Sequence, residues 1–348
     1  MTERLQEMYS FGVKRTELFY STVLSGRTGA NVYVKREDLQ ENKSFKIRGA
    51  MNNMLAKIEE DREGDRIFAC ASTGNHAQGV AMACAKMRKK GIIFMPKIAS
   101  QVKIDKTKHF GGEFVEIKLV GDNFDECLAI AEQEVKENGY CFIHPYDDVN
   151  TIAGQATLME EVKAQLEEKG EKCDLVFSPV GGGGLISGII NVVEKYNMNT
   201  KVVGGQTELC HPLTKSLENG ENIESDIAKK EVITDGSLVK KLGTLTWDII
   251  NNSYKNGGFS VEVLKNDNVL YCMGLAKTEH NIDVEGAGGL SFAGFLQYAK
   301  THNVKGKNVV LVNSGGNVLQ EIQQKAVDFY KNNSGTNFEL QMSFKCVL

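Results

Sequence analysis

Residues 44–50, Ser-Phe-Lys-Ile-Arg-Gly-Ala, place a lysine at the predicted start of a helix. The apolar run 30–34 predicts a strand, residues 35–38 a polar turn, and Ser44 a helix cap. Lys46 then lies in the first helical turn, where the helix macrodipole opposes a positive charge and favours the neutral amine. A neutral amine can act as a nucleophile or form a Schiff base, although a solvated helix lysine would give the same local pattern.

The rest of the chain repeats this alternation of strand and helix. Apolar runs predict strands at 67–71, 91–96, 113–117, 140–143, 175–177, 201–204 and 309–312. Helical periodicity follows several of them, at 77–89, 103–110 and 122–138. Such alternation predicts α/β architecture with parallel sheets covered by helices, in which ligands gather at the carboxyl ends of the strands.

Composition excludes several classes of partner. The chain has 348 residues, 41% hydrophobic and 25% charged, which is typical of a globular protein. A net charge of -4 gives no electrostatic footprint for nucleic acid or for an anionic membrane. No apolar run approaches the roughly 20 residues that cross a bilayer, and the first residues lack the pattern of a signal peptide. The eight cysteines form no CxxC pair, so we expect reduced thiols in a cytoplasmic protein.

A glycine-rich loop follows the predicted strand 175–177 and opens a helix. Residues 178–188 read Ser-Pro-Val-Gly-Gly-Gly-Gly-Leu-Ile-Ser-Gly, and the consecutive glycines leave backbone N–H groups accessible to a phosphate. Ile186 and Ser187 stand where G-x-G-x-x-G needs its third glycine, and no Gly-Lys-Ser/Thr follows, which weakens nicotinamide and nucleotide interpretations. A flexible turn is the alternative.

Two further loops carry polar groups at strand ends. Residues 72–76, Ser-Thr-Gly-Asn-His, begin a helix whose free N–H groups suit a substrate carboxylate, or form only a capped turn. Residues 312–317 contain Ser314, which either bonds to a ligand heteroatom or caps the next helix.

The order and spacing of these motifs resemble the fold-type II pyridoxal-phosphate enzymes, in the branch of threonine dehydratases and serine racemases. The resemblance covers about residues 15–325. Its motifs are 35–38 before 44–50, 72–80, 144–148, 152–157, the glycine-rich loop, 235–236, 285–289 and 314–317.

The resemblance implies a tryptophan synthase β-like fold, with two parallel-sheet α/β domains and the cofactor between them. The large cofactor-binding domain would comprise residues 1–50 and 150–325, and the small inserted domain residues 51–149. Residues 326–348 would form a C-terminal tail, with no regulatory domain. A homodimer or homotetramer is also expected by resemblance.

The resemblance also implies roles for individual residues. Lys46 would form the imine with pyridoxal 5'-phosphate and remove the α-proton of the substrate, with Thr73 as a second catalytic candidate. The remaining cofactor-binding residues would be Phe45 beside the ring, Asn75 at the ring hydroxyl, Ser314 at the pyridine nitrogen, and Gly181, Gly182, Gly183, Gly184 and Leu185 at the phosphate. Ser72, Thr73 and His76 would surround the substrate carboxylate.

A serine at the pyridine nitrogen favours elimination, since a neutral hydroxyl stabilises a pyridinium less than a carboxylate does. The expected reaction is therefore the deamination of a small β-hydroxy amino acid, L-threonine and also L-serine, to a 2-oxo acid and ammonia. Alternatives are a serine racemase, a 3-hydroxyaspartate-type dehydratase, and a non-catalytic pyridoxal-phosphate or amino-acid-binding protein.

Three positions depart from the family pattern. Lys43 replaces a frequent glycine, and Thr73 replaces the serine of racemases or the alanine of many dehydratases. Gln206 lies at or next to the acidic residue of a divalent-cation site, so we expect no metal of that kind.

Overall fold

The computed structural model describes residues 3–60, 64–228, 231–336 and 338. Within them, strands β1 to β10 are Leu18–Tyr20, Asn31–Arg36, Phe68–Ala71, Gly91–Met95, Val115–Leu119, Cys141–Phe142, Leu175–Pro179, Lys201–Thr207, Phe259–Leu264 and Asn308–Asn313. Helices α1 to α13 are Glu3–Ser10, Thr22–Thr28, Lys46–Glu60, Asn75–Met87, Gln101–Gly111, Phe124–Asn138, Val149–Glu167, Gly184–Lys195, Pro212–Asn219, Thr244–Lys255, Asn266–His280, Gly286–Tyr298 and Gln320–Asn333.

The chain divides into two compact units. The first unit takes the described residues up to Arg15 and from Gln40 to Thr157, and the second unit takes Thr16–Leu39 and the described residues from Leu158 onward. These ranges differ from the expected domain boundaries. Residues 40–50, which include Lys46, were expected in the large domain but belong to the first unit. The cause is the packing of α3, which buries Ile47 and Met54 in the same cluster as residues of α4.

The sheet of the first unit has the order β5-β4-β3-β6, and all its strands are parallel. In the second unit the order is β1-β2-β10-β7-β8-β9, where only the β1–β2 pair is antiparallel. The prediction of parallel-sheet α/β architecture is therefore confirmed. Strands such as β3 and β10 consist of continuous apolar runs because helices bury both of their faces.

The strand order brings the predicted loops together in pairs. In the first unit β3 and β6 are neighbours, so residues 72–75 and 143–146 follow at the same edge of the sheet. In the second unit β7 and β10 are neighbours, so the glycine-rich loop and Ser314 also share one edge.

The C-terminal region is helical for longer than the expected tail allows. Helix α13 continues to Asn333 and buries Ala326 and Tyr330 in the core of the second unit. Residues 337 and 339–348 of the expected tail lie outside the described residues. Among the helices that are described, none has the length and hydropathy that crossing a membrane requires.

Candidate active site

Lys46 is the first residue of α3, as the capping pattern predicts. Its backbone N–H donates to Ser44 Oγ at 3.4 Å, and its Nζ donates to the carbonyl oxygen of Pro145 at 2.9 Å. The ring of Phe45 lies 5.3 Å from Nζ. The amine is therefore at a helix N-terminus, only partly exposed, and held by a backbone carbonyl.

A glycine in the neighbouring helix allows this position. A Cβ added at Gly79 of α4 would lie 3.1 Å from the carbonyl carbon of Lys46 and 3.2 Å from the nitrogen of Ile47. These distances are shorter than ordinary van der Waals contact, so a side chain at Gly79 would displace the start of α3.

Of the predicted loop 72–76, residues 72–74 connect β3 to α4, and Asn75 and His76 are the first two residues of the helix. Ser72 Oγ accepts from the N–H of Gly74 at 3.1 Å, and Asn75 is the first residue of α4. Ser72, Thr73 and Asn75 are all partly exposed. Because the first N–H groups of a helix lack partners within it, this turn suits an anionic ligand.

His76 is buried beneath this loop. Its Nε2 lies 2.8 Å from the carbonyl oxygen of Ile143, and only 4% of the residue is exposed. Burial, with a smaller contribution from the charge of Lys46, lowers the pKa of His76 to about 3. The ring is therefore neutral, and since a carbonyl only accepts, its proton is on Nε2. The geometry favours a structural role for His76, which links α4 to the backbone that follows β6.

The turn 144–147 lies within the motif 144–148 and orients the partner of Lys46. His144 Nδ1 accepts from the N–H groups of Tyr146 at 3.3 Å and Asp147 at 2.7 Å. This turn presents the carbonyl of Pro145 to Lys46. Burial lowers the pKa of His144, which keeps the accepting nitrogen unprotonated even though Asp147 acts in the opposite direction.

In the second unit, the glycine-rich loop leads from β7 into α8. Gly183 has φ +97°, and a Cβ there would lie 2.7 Å from that of Thr246. Thr246 Oγ1 also donates to the carbonyl oxygen of Gly182 at 2.7 Å, which fixes the loop. Since α8 begins at Gly184, the N–H groups of Gly184 and Leu185 have no acceptor within the helix, and N–H groups in this position suit an anion.

Ser314 follows β10, at the same edge of the sheet as the glycine-rich loop. The residue is 1% exposed, and within the part of the chain that the structure describes its Oγ has no hydrogen-bond partner. Buried hydroxyls are nearly always paired, so this hydroxyl is available to bond to a ligand heteroatom.

Gln206 is already engaged within the fold. Its Oε1 accepts from the backbone N–H of Thr214 at 3.0 Å and from the Thr214 hydroxyl at 3.2 Å. The amide thus caps the first turn of α9.

Comparison with known proteins identifies the family. The model of a family described as pyridoxal-phosphate dependent enzyme matches residues 9–315. The biosynthetic L-threonine dehydratase IlvA of Staphylococcus epidermidis is 36% identical over 323 residues, which cover 91% of this chain and 74% of that protein. The L-threonine ammonia-lyase of Thermotoga maritima is 39% identical over 308 residues, which cover 88% of this chain and 72% of that protein.

A solved structure agrees with these relatives. The processed form of threonine deaminase isoform 2 from Solanum lycopersicum superposes with a TM-score of 0.82 at 30% identity, covering 94% of this chain and 93% of that one. On the extent of these matches, the chain belongs to the family of pyridoxal-phosphate-dependent enzymes.

Proposed function

We propose that this enzyme is a threonine ammonia-lyase, which converts L-threonine, and also L-serine, into a 2-oxo acid and ammonia. The observation that carries the proposal is the buried, unpaired hydroxyl of Ser314. The curated relatives named above, whose names specify threonine dehydratase and threonine ammonia-lyase, support it.

The residues present fit pyridoxal phosphate. The phosphate is a dianion that suits the N–H groups from Gly181 to Leu185, in a loop where Gly183 leaves no space for a Cβ. The pyridine nitrogen supplies the partner that Ser314 Oγ lacks. An aldehyde requires an amine, and Lys46 offers one that is partly exposed and held in place.

Pyridoxal phosphate and the residues of the protein contribute different parts of the chemistry. When bound, pyridoxal phosphate supplies an electron-withdrawing ring conjugated to the α-carbon of the substrate. Lys46 attaches the cofactor and, once the substrate amine has replaced it, takes the α-proton on Nζ. The carbonyl of Pro145 orients that nitrogen.

Substrate orientation falls to the loop between β3 and α4. Ser72, Thr73 and the first N–H groups of α4 bind the carboxylate, while Asn75 bonds to the ring hydroxyl of the cofactor and Phe45 packs beside the ring. Thr73 stays a second catalytic candidate because its hydroxyl can carry a proton. His76 supports the loop from below rather than through a charge of its own, since its ring is neutral.

Ser314 directs the outcome towards elimination. A carboxylate at this place would favour a protonated ring nitrogen and strong accumulation of electrons on the ring, whereas a neutral hydroxyl does not. Electrons released at the α-carbon are then better used to expel the β-hydroxyl. The β-hydroxyl takes up a proton and leaves as water, and the unsaturated amine that results adds water and loses ammonia, which gives 2-oxobutanoate from threonine or pyruvate from serine.

The test is release of 2-oxo acid from L-threonine and L-serine by cofactor-supplied protein, with chiral chromatography of D-serine in the same samples. Lys46→Ala should abolish oxo-acid formation, while Lys57→Ala, at an exposed ion pair on the same helix, should retain it. D-serine without oxo acid would establish the racemase alternative. Normal turnover by Lys46→Ala would overturn the proposal.

The proposal includes a homodimer or homotetramer in the cytoplasm. The family resemblance supports this assembly. Light scattering, which measures the molar mass in solution, distinguishes a homodimer or homotetramer from a monomer. The free cysteines at positions 70, 84, 127, 141, 173, 210 and 272 fit a reducing compartment.

A further inference from the structure

The backbone on both sides of Ser314 is fixed by hydrogen bonds. Ser291 Oγ donates to the carbonyl oxygen of Val312 at 2.8 Å. The N–H of Glu285 donates to the carbonyl oxygen of Gly315 at 2.9 Å. The Ser314 hydroxyl between them is buried and lacks a partner among the described residues. The loop is therefore held by its neighbours while its own side chain stays available.

Asp38 bonds to the residue before Ser314 and lies close to Gly316, two residues after it. Its Oδ1 accepts from the side-chain amide of Asn313 at 2.8 Å. A Cβ added at Gly316 would lie 2.9 Å from that of Asp38, so the two residues are packed closely. The carboxylate of Asp38 thus fixes the position before the serine, while its Cβ packs against Gly316.

Asp38 is itself rigidly held. Arg36 Nε donates to Oδ1 at 2.8 Å and Arg36 Nη2 to Oδ2 at 2.7 Å, with side-chain exposures of 13% for Arg36 and 5% for Asp38. The parallel register of β2 and β10 sets Arg36 directly opposite Asn313. Such a paired, nearly buried carboxylate is a firm anchor, because bidentate ion pairs have a narrow geometry.

The second hydrogen of the Asn313 amide is also used. It is donated to the backbone carbonyl of Asp283 at 3.0 Å, so this side chain is held from two directions. The Asp283 bond depends on the backbone, whereas the Asp38 bond depends on a side chain that can be replaced. A substitution at Asp38 therefore removes one of the two bonds that hold Asn313, and it leaves Ser314 itself unchanged.

We propose that Asp38 is a positioning residue, which through Asn313 holds the Ser314 hydroxyl in line with the pyridine nitrogen of the cofactor. This inference rests on the proposed function. In this role Asp38 acts indirectly, through its bond to Asn313. Because of Asp38, the Ser314 hydroxyl can bond to the cofactor without any movement of its loop. This effect exists only when the cofactor ring has a nitrogen that receives the bond.

The test compares two cofactors. Apoprotein is titrated with pyridoxal phosphate and with 1-deazapyridoxal phosphate, which lacks the ring nitrogen, and dissociation constants are read from absorbance and protein fluorescence. Ser314→Ala should weaken pyridoxal phosphate about fivefold and leave the deaza compound unchanged. Asp38→Ala should show the same selectivity, and Ser314→Ala/Asp38→Ala should be no weaker than Ser314→Ala.

Asp38→Asn keeps an oxygen for the Asn313 amide and should bind pyridoxal phosphate within about twofold of wild type. If Asp38→Ala does not fold, Asn313→Ala removes the other half of the same hydrogen bond and should reproduce its pattern. If Asp38→Ala bound both cofactors equally more weakly, or bound pyridoxal phosphate as wild type does while Ser314→Ala bound it more weakly, the inference would be overturned. The proposed function would not be affected by either result. Wild-type protein that bound neither cofactor would overturn the proposed function as well.

Discussion

The Nζ atom of Lys46 and the carbonyl oxygen of Pro145 are 2.9 Å apart. That carbonyl belongs to a turn whose two N–H groups are bound by one nitrogen of His144. The lysine amine is therefore oriented by the backbone, and the backbone is oriented by an imidazole ring. A catalytic amine that must attach to a cofactor and later take a proton gains from such a fixed position.

Replacing His144 should loosen this arrangement. His144→Leu leaves two N–H groups without their acceptor and should slow cofactor attachment to Lys46 about tenfold. His144→Asn offers a carbonyl oxygen to the same N–H groups and should recover most of the rate. Stopped-flow absorbance after mixing apoprotein with pyridoxal phosphate measures both. Wild-type kinetics in His144→Leu would show that the turn does not control Lys46.

The buried His76 should make stability depend on pH. Its folded pKa of about 3 lies below the ordinary value of 6.5, so between these values the unfolded chain binds a proton that the folded chain does not. Stability from this residue is complete above pH 6.5 and falls as the pH decreases. Lowering the pH from 7.5 to 5.5 should cost about 1.4 kcal/mol of unfolding free energy.

Urea unfolding at the two pH values checks this linkage. His76→Gln should lose the pH-dependent contribution of the residue, and the exposed His109→Gln serves as the matched control. An identical difference between the two pH values in wild type and His76→Gln would contradict the linkage.

The sequence predicted the central strands and also the edge strands β5 and β6, but it missed the edge strands β1 and β9. β4 and β10 are continuous apolar runs because neighbours and helices cover them on all sides, and such runs are visible in a sequence. β9, which sequence analysis did not identify, is an edge strand that buries only Phe259 and Leu264. β1 has three residues, too few for a periodic signal.

The loops of the site could be predicted, but the contacts that orient them could not. Strand, glycine and helix start are consecutive in sequence, so residues 72–76 and 181–185 were recognisable. The partner of Lys46 is a backbone carbonyl 99 positions away, and backbone carbonyls have no sequence signature. Asp38 and Asn313 are separated by 275 positions, and neither residue type alone indicates the pair.

A side chain at Gly79 should impair catalysis through Lys46. Gly79→Ala brings a methyl group within 3.2 Å of the backbone of Lys46 and Ile47, so the start of α3 must move. We expect slower cofactor attachment and a loss of about 1–3 kcal/mol in stability. Gly26→Ala, where a Cβ meets nothing within 4 Å, is the control and should leave attachment unchanged. Equal rates in both variants would contradict the prediction.

The buried ion pair of Lys35 and Glu161 should matter more for stability than exposed pairs do. Lys35 Nζ donates to Glu161 Oε2 at 2.6 Å, and both side chains are almost completely buried. Lys35→Met removes a positively charged partner from a buried carboxylate and should cost about 3–5 kcal/mol of unfolding free energy. Lys325→Ala, which breaks an exposed pair with Glu231, should cost about 1 kcal/mol or less. Similar losses in urea unfolding would contradict this distinction.

Gly183 should be required for both its backbone angle and its lack of a side chain. Gly183→Ala strains a residue at φ +97° and forces a methyl group to 2.7 Å from Thr246 Cβ, so the glycine-rich loop, the proposed phosphate cradle, must distort. Gly220→Ala is a matched control because that residue has φ +76° with nothing within 4 Å of an added Cβ. The control should lose about 1 kcal/mol of stability from backbone strain while binding pyridoxal phosphate normally. Gly183→Ala should bind it at least about tenfold more weakly, because the cradle N–H groups no longer converge on one anion. If the two variants showed the same cofactor affinity in equilibrium titration, backbone strain alone would account for Gly183, and the phosphate would have to be bound elsewhere.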